Sequence, residues 1–193
     1  MEDKALATIK EILIGRGMKD NKFEPISGDL PETKMYTYEK LLILFSNKSR
    51  ITGNEFKNFT TFATENNHTG GILIVTPQRP SEMVLKMLCN YIENRENPIV
   101  QIFELRHLQF DISKHRKVPV HRIISDKEQT DMLKEHNVTF SNKIPNIPKI
   151  WCQDPMAKWI GARPGDYVYC EGLCQASGKD SRYRYCLADV TNG

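Results

Sequence analysis

Apolar residues recur at helical spacing near the start of the chain and then give way to shorter apolar runs. The first set stops before Gly15 and predicts an amphipathic helix over residues 3–14. Its members are Ala5, Leu6, Ile9, Ile12 and Leu13. Residues 20–33 are polar, contain Pro and Gly, and predict a loop. Residues 35–46 are rich in aromatic and aliphatic side chains, so we predict one strand there.

The pattern then alternates between helix and strand. Three phenylalanines at helical intervals in residues 53–67 predict a helix and are interpreted as core rather than as a platform for stacking bases. Residues 72–75 are typical of a strand covered on both faces. A helix with Ser81 as its N-cap and a strand over residues 99–103 follow. The alternation predicts a small α/β domain over residues 1–112, with helices on a mixed sheet.

A second module follows a basic stretch, residues 113–117, that lacks large apolar side chains and is predicted as a linker. Residues 118–193 are predicted as a small α+β domain. Its predicted strands and turn are a strand over residues 118–124, a turn at residues 163–166, and strands over residues 167–170 and 183–187 that flank a polar loop at residues 177–180.

Capping residues mark two helices in this module. Ser125 and Glu128 have the spacing of a capping box, in which two side chains satisfy backbone donors reciprocally. Asp154 and Pro155 predict an N-cap followed by proline at the first helical position, and Gly161 ends that short helix.

Composition narrows the function classes. Apolar runs fall far short of the roughly 20 residues of a membrane span, so we expect no membrane partner. The 193-residue chain has a net charge of only +3, which does not by itself indicate a nucleic-acid-binding protein. Residues 1–112 carry 14 Lys and Arg against 15 Asp and Glu, whereas residues 113–193 carry 13 against 9. This asymmetry supports a domain boundary near residue 113.

The chain has five cysteines, an odd number, and we expect free thiols in a reducing compartment. Cys152, Cys170, Cys174 and Cys186 could supply four zinc thiolates, but they lack the paired C-x-x-C spacing of zinc sites. We favour ordinary thiols and predict neither a metal nor a cofactor.

Seven short motifs follow one another through the second module. They are Val118-Pro119-x-His121, Ser125-x-x-Glu128, Met132-Leu133, Ile147-Pro148-Lys149-Ile150, Asp154-Pro155-x-Ala157, Gly161-x-x-Pro164-Gly165-Asp166 and Tyr183-Arg184. Over residues 118–188 this series resembles the fifth shared subunit of eukaryotic DNA-dependent RNA polymerases and its smaller archaeal counterpart. In residues 1–112 the resemblance is weaker and rests on the order of elements.

The resemblance implies a non-catalytic polymerase subunit. Its C-terminal assembly domain would dock onto the largest polymerase subunit and contact other subunits, and its N-terminal jaw domain would lie near downstream duplex DNA. We expect that DNA contact to be weak and without sequence preference. The expected compartment is the nucleus for a cellular polymerase, or a cytoplasmic viral factory or virion for a viral one.

One segment departs from the family pattern. Where the family carries R-x-S-E-T, this chain has Gly172, Cys174, Gln175 and Ala176 at the matching positions. We therefore expect contacts that relatives make there with a neighbouring subunit to be lost or rebuilt. A short insertion also lies at residues 139–143. Both departures favour a divergent lineage, such as a large DNA virus with its own polymerase.

The predicted site residues fall into two sets. The protein-binding set is His121, Arg122, Asp154, Pro155, Arg163, Pro164, Gly165, Tyr183 and Arg184. The DNA-proximal set is Lys48, Arg50, Lys57 and Arg79. For Asp154, Pro155 and Gly165, an equally good interpretation is that they only cap and turn the fold. Arg163 is the favoured interface residue, because the turn does not require an arginine.

Two alternative functions stay open. A Mg²⁺-dependent nuclease could use Glu32-x-Lys34, with Asp29 upstream, or Glu55-x-Lys57. A stand-alone DNA-binding transcription factor would need a helix-turn-helix or zinc-finger pattern, which the sequence does not contain. No catalytic residue is assigned, and His121 beside a strand is interpreted as a packed or interface histidine.

Overall fold

A computed structural model of the chain describes residues 1–28, 30–174 and 178–188, with the side chain of Cys174 outside the description. The chain forms two compact units, Met1–Asp111 and Ile112–Asp189. No helix in the described ranges is both long and apolar enough to cross a membrane.

The N-terminal unit is a mixed sheet with helices. Its helices are α1 (Glu2–Gly15), α2 (Gly53–Glu65) and α3 (Glu82–Glu93), and a 3-10 helix covers Leu105–Leu108. Its strands are β1 (Glu24–Ile26), β2 (Thr33–Tyr38), β3 (Leu41–Ser46), β4 (Gly71–Thr76) and β5 (Val100–Glu104). The five strands lie in sequence order; β1, β2 and β3 pair antiparallel, whereas β3, β4 and β5 pair parallel. The predicted α/β class is confirmed.

The core of this unit lies around β3 and β4, in which every residue is buried. The predicted first helix and the helices after residues 53 and 81 are confirmed, and the Ser81 hydroxyl accepts a hydrogen bond from the backbone N–H of Val84. Phe56 and Phe59 are buried, as core residues should be, and Phe62 is half-buried against His68.

The single strand predicted for residues 35–46 is wrong, because the run is a hairpin of β2 and β3. Glu39 has a positive φ of 56° and turns the chain between Tyr38 and Leu41. Gly70 packs so closely against Lys40 that a Cβ on Gly70 would lie 2.9 Å from the backbone of Lys40. The predicted loop over residues 20–33 also contains β1.

The C-terminal unit has two helices, α4 (Asp126–Glu135) and α5 (Pro155–Ile160), and a 3-10 helix at Ile112–Lys114. Its strands are β6 (Val120–Ile123), β7 (Phe140–Ser141), β8 (Ile144–Pro145), β9 (Lys149–Trp151), β10 (Tyr167–Cys174) and β11 (Gly178–Leu187). One sheet has the order β6-β10-β11-β9, with β9 parallel to β11, and β7 and β8 form a separate hairpin.

The local predictions for this unit have mixed outcomes. The Asp154 cap, the end of α5 at Gly161 and the turn at residues 163–166 are confirmed. The 3-10 helix overlaps the predicted linker, and its residues belong to the C-terminal unit. Lys179 and Asp180, predicted in a loop, lie in β11, because β10 and β11 pair as far as Cys174 and Gly178. Residues 175–177 lie outside the described residues.

Candidate protein-docking site

The strand register sorts the C-terminal candidates onto two faces of one sheet, because side chains alternate across a strand. On one face, His121 of β6, Cys170 of β10 and Arg182 of β11 form a row across three strands. Arg184 lies two residues beyond Arg182 on β11 and therefore shares that face. The predicted residues His121 and Arg184, far apart in sequence, are thus brought together.

This face carries a groove made of two adjoining cavities of about 580 and 360 Å³. Both cavities are lined by Val118, Pro119, His121 and Arg184. The larger also has Arg116, Lys117, Asp180 and Arg182 in its wall, and the smaller has Asp154. We use the term basic groove for the surface lined by Arg116, Lys117, Val118, Pro119, His121, Arg182 and Arg184.

Two side chains in the basic groove are fixed by backbone carbonyls. His121 Nδ1 lies 2.7 Å from the carbonyl oxygen of Pro119, so Nδ1 carries the proton in the neutral ring and Nε2 is left as the acceptor. Arg184 Nη1 donates to the carbonyl of Lys149 at 3.0 Å. Burial raises the pKa of the neighbouring Cys170 thiol, and the charge of Arg184 opposes that rise.

Asp154 lies at the edge of the groove, and its side chain caps the N-terminus of α5. Its Oδ1 accepts hydrogen bonds from the backbone N–H groups of Met156 at 2.8 Å and Ala157 at 3.3 Å, which caps α5. Pro155 follows as the first residue of the helix and is exposed. The capping interpretation of Asp154 is therefore confirmed, and its carboxylate is held in place by two donors.

Arg122 and Tyr183 lie on the opposite face, which packs against α4. Arg122 donates to both oxygens of the Glu128 carboxylate, at 2.7 and 2.5 Å, and its guanidinium lies 4.7 Å from the centre of the Tyr169 ring. Tyr183 is half-buried beside Tyr169 and His136, with ring centres 5.3 and 5.7 Å away.

The reciprocal capping box predicted at Ser125 and Glu128 is half correct. The Ser125 hydroxyl accepts from the backbone N–H of Glu128 at 3.3 Å, as predicted. The carboxylate of Glu128 turns instead to Arg122, and that hydrogen bond lowers the pKa of Glu128. A charged, bidentate donor outcompetes a single backbone N–H.

The Arg163 to Asp166 turn is integrated into the sheet. The backbone N–H of Arg163 donates to Asp166 Oδ2 at 2.7 Å, and that of Asp166 donates to the Arg163 carbonyl at 3.0 Å. Gly165 supplies a φ of 92° and donates from its N–H to the carbonyl of Cys186. Pro164 is buried and Arg163 half-buried, so this turn offers less open surface than the basic groove.

The cysteine candidates do not form a zinc site among the described side chains. Cys152, Cys170 and Cys186 are buried reduced thiols, and Cys174 lies outside the described side chains. Within the described part of the chain, His, Cys, Asp and Glu side chains form no group of three or more that could hold a metal ion.

In the N-terminal unit, three of the predicted DNA-proximal residues lie at one edge of the sheet. Lys48 and Arg50 follow β3, and Arg79 follows β4, at the carboxyl ends of two parallel strands. Arg50, Arg79 and Lys57, which lies on α2, are exposed. Lys48 is paired with Glu55 at 2.5 Å.

The residues proposed for a nuclease have other partners. Lys34 Nζ pairs with Glu2 at 2.6 Å rather than with Glu32, and Asp29 lies outside the described residues. Glu55 completes a capping box with Thr52, whose hydroxyl accepts from the backbone N–H of Glu55 while the Glu55 carboxylate accepts from that of Thr52. The T-x-x-E spacing was available in the sequence and was missed.

Comparison with known proteins matches the C-terminal part of the chain. The family described as RNA polymerase Rpb5, C-terminal domain, matches residues 110–186. DNA-directed RNA polymerase subunit Rpo5 of Thermococcus onnurineus is 33% identical over 81 residues, which cover 42% of this chain and 94% of the relative. The Rpo5 subunit of Sulfurisphaera tokodaii is 35% identical over 81 residues, 42% of this chain and 92% of the relative. This chain belongs to the Rpb5 family of RNA polymerase subunits.

Membership makes the chain a component of a DNA-directed RNA polymerase, and the resemblance stated from the motifs is confirmed. Sequence reasoning missed three cations of the basic groove: Arg116, Lys117 and Arg182. The first two were assigned to a linker. Arg182 lies one residue before the strand predicted over residues 183–187, and a strand begun earlier would have placed it on the same face as Arg184.

Proposed function

We propose that this chain is a non-catalytic polymerase subunit that docks onto the largest subunit through the basic groove of its C-terminal unit. The observation that carries the proposal is that His121 and Arg184, both in motifs of the Rpb5 family, meet in one open groove within the part of the chain that the family covers. A concave surface with rigidly held polar groups is suited to a partner that must adopt one orientation.

The opposite face of the sheet supports this choice. Tyr167, Tyr169, Tyr183 and Tyr185 pack there with Ile124 and Met132 under α4, so that face forms part of the unit's own core. Among the described residues, no helix as long as α4 covers the groove face, and Arg116, Lys117 and Pro119 in the wall of the larger cavity are exposed. The groove is therefore the open part of this face, with room for a partner.

For the N-terminal unit we propose a position near downstream DNA, with Arg50, Lys57 and Arg79 facing the phosphates. Their exposure and the shared sheet edge of Arg50 and Arg79 support this role. Phosphate contacts carry no sequence information, so no sequence preference is expected. The chain would act in the nucleus for a cellular polymerase, or in a viral factory or virion for a viral one.

The test is affinity purification of the tagged full-length chain from its own cells, followed by mass spectrometry. Large polymerase subunits are expected in the eluate at matched stoichiometry. A Gly172→Trp variant should lose them, because a Cβ at Gly172 already lies 3.4 Å from the side chain of Pro119 and the ring would fill the groove.

The matched control is Ser181→Trp, an exposed position on β11 whose side chain lies on the other face. Circular dichroism establishes that both variants fold. A wild-type chain recovered without polymerase subunits would contradict the subunit role. Undiminished recovery of those subunits with folded Gly172→Trp would contradict docking through the groove.

A further inference from the structure

The charges in the basic groove indicate which charge a partner that binds there should carry. Arg116, Lys117, Arg182 and Arg184 line it, and the acid that lines the larger cavity, Asp180, is already paired with Arg182 at 2.8 Å. Arg116 and Lys117 are exposed, and among the described residues their side chains form no ion pair. The groove therefore has an excess of positive charge that its own residues do not neutralise.

We propose that the basic groove holds an acidic, extended polypeptide segment of the large polymerase subunit on which the chain docks. The proposal rests on the docking role above and adds the chemistry of the segment. Complementary charge favours a segment rich in Asp and Glu, because like charges brought together in an interface repel each other.

The apolar parts of the groove indicate that the segment also carries apolar side chains. Val118 and Pro119 line both cavities, with Val118 half-buried and Pro119 exposed. Interfaces gain most of their affinity where apolar side chains are buried inside a polar rim. A segment that alternates acidic and apolar residues would satisfy both the cations and this apolar strip.

The same face is poorly suited to a nucleic-acid strand. Single strands bind where successive bases stack on successive aromatic rings. The four tyrosines of β10 and β11 lie on the opposite face and pack in the core. In the groove, the His121 ring is held by the Pro119 carbonyl, and Trp151 is half-buried in the smaller cavity. In the described part of the chain, the cations are thus left without a row of exposed rings between them.

Site-specific photocrosslinking identifies the occupant directly. A photoreactive phenylalanine analogue replaces Lys117 in the tagged full-length chain, and the crosslinked product is mapped by mass spectrometry. The expected product is a peptide of a large polymerase subunit with more Asp and Glu than Lys and Arg. The same analogue at Lys127, exposed on α4, should not capture that peptide. Capture of a nucleic acid, or of a neutral or basic peptide, at position 117 would overturn the proposal.

Charge reversal separates this proposal from the docking role. The double variant Arg116→Glu/Lys117→Glu should lower recovery of the largest subunit about tenfold, because it places acids opposite an acidic segment. Lys127→Glu/Lys143→Glu, with the same change in charge at exposed positions outside the groove, should recover it normally. If Gly172→Trp abolishes recovery but Arg116→Glu/Lys117→Glu leaves it unchanged, docking through the groove stands and the acidic segment is wrong.

Discussion

The two units differ in how completely the faces of their sheets are buried. In the N-terminal unit, β3 and β4 are buried at every position, so both faces of the sheet centre are enclosed by the unit itself. In the C-terminal unit, β6 is largely exposed, with Val120 at 70%, and one face of its sheet carries the basic groove. The centre of the N-terminal sheet is covered by its own unit, whereas the C-terminal sheet has an open groove to which a partner can bind.

The difference follows from the sequences of the strands. β4 reads Gly-Ile-Leu-Ile-Val-Thr, a continuous apolar run typical of a parallel strand between two layers of helices. β11 alternates instead, with Tyr183 and Tyr185 on the core face and Arg182 and Arg184 on the other. Such alternation is typical of a sheet with one buried face. Here the other face carries Arg182 and Arg184 along the groove and is buried beside it, at Val168, Cys170 and Cys186.

The largest expected effect comes from the same substitution, leucine to alanine, made at one strand position in each unit. Leu73 on β4 is fully buried, so Leu73→Ala should lower the free energy of unfolding by about 2–5 kcal/mol, through lost burial and a cavity. Leu173→Ala, at an 86% exposed position, should change it by less than about 0.5 kcal/mol. Urea denaturation followed by circular dichroism measures both. Equal losses would show that the C-terminal sheet is as enclosed as the N-terminal one.

A structural feature could be predicted from the sequence when it depends on residues that are adjacent in the chain. The Asp154 cap, the Gly165 turn and the helix after Ser81 were predictable because each depends on a few adjacent residues. The hairpin of β2 and β3 was not, because the apolar run continues on both sides of Glu39 and Lys40. Two consecutive charged residues inside such a run were the available indication of a turn.

The basic groove could not be predicted from any local sequence pattern. His121 and Arg184 were named through separate motifs, but their shared face depends on the pairing of Cys170 with His121 and with Arg182. Similarly, Arg122 was expected beside His121 as a docking residue, yet alternation turns it to the other face, where Glu128 binds it. Register across three strands decides which candidates form one surface.

An intermediate effect is expected at the α5 cap, next to the groove. Asp154→Ala removes the acceptor of two backbone N–H groups and should lower the free energy of unfolding by about 1 kcal/mol. The two tryptophans of the chain, Trp151 and Trp159, both belong to the C-terminal unit, so their fluorescence reports its unfolding. Asp154→Asn, which keeps an acceptor, is the control and should lose only a fraction of that energy. A full loss with Asn would mean that charge, rather than hydrogen bonding, stabilises this end of α5.

The smallest expected effect is a difference in pKa between Glu55 and Glu128, two carboxylates that each lie three residues after the N-cap of a helix. Burial raises the pKa of Glu55, but hydrogen bonds from Lys48 and Thr52 outweigh that and hold it below its ordinary value. The pKa of Glu128, which is also half-buried, is lowered by the hydrogen bond from Arg122. Each carboxylate therefore stabilises the fold above the ordinary Glu pKa, and that contribution is lost as pH falls through the lowered value in the folded state.

Salt should separate the two, because the Glu128 side chain is 32% exposed and that of Glu55 only 19%, and a more exposed ion pair is screened more strongly. Side-chain NMR titration is expected to show that the pKa of Glu128 returns toward its ordinary value in about 1 M salt and in Arg122→Gln, whereas the pKa of Glu55 stays low in both. Glu55 keeps the backbone N–H of Thr52 as a donor, whereas the carboxylate of Glu128 has turned away from its cap. Equal shifts in salt would contradict this difference and indicate that the Arg122 pair is as well shielded as the capping box in the N-terminal unit.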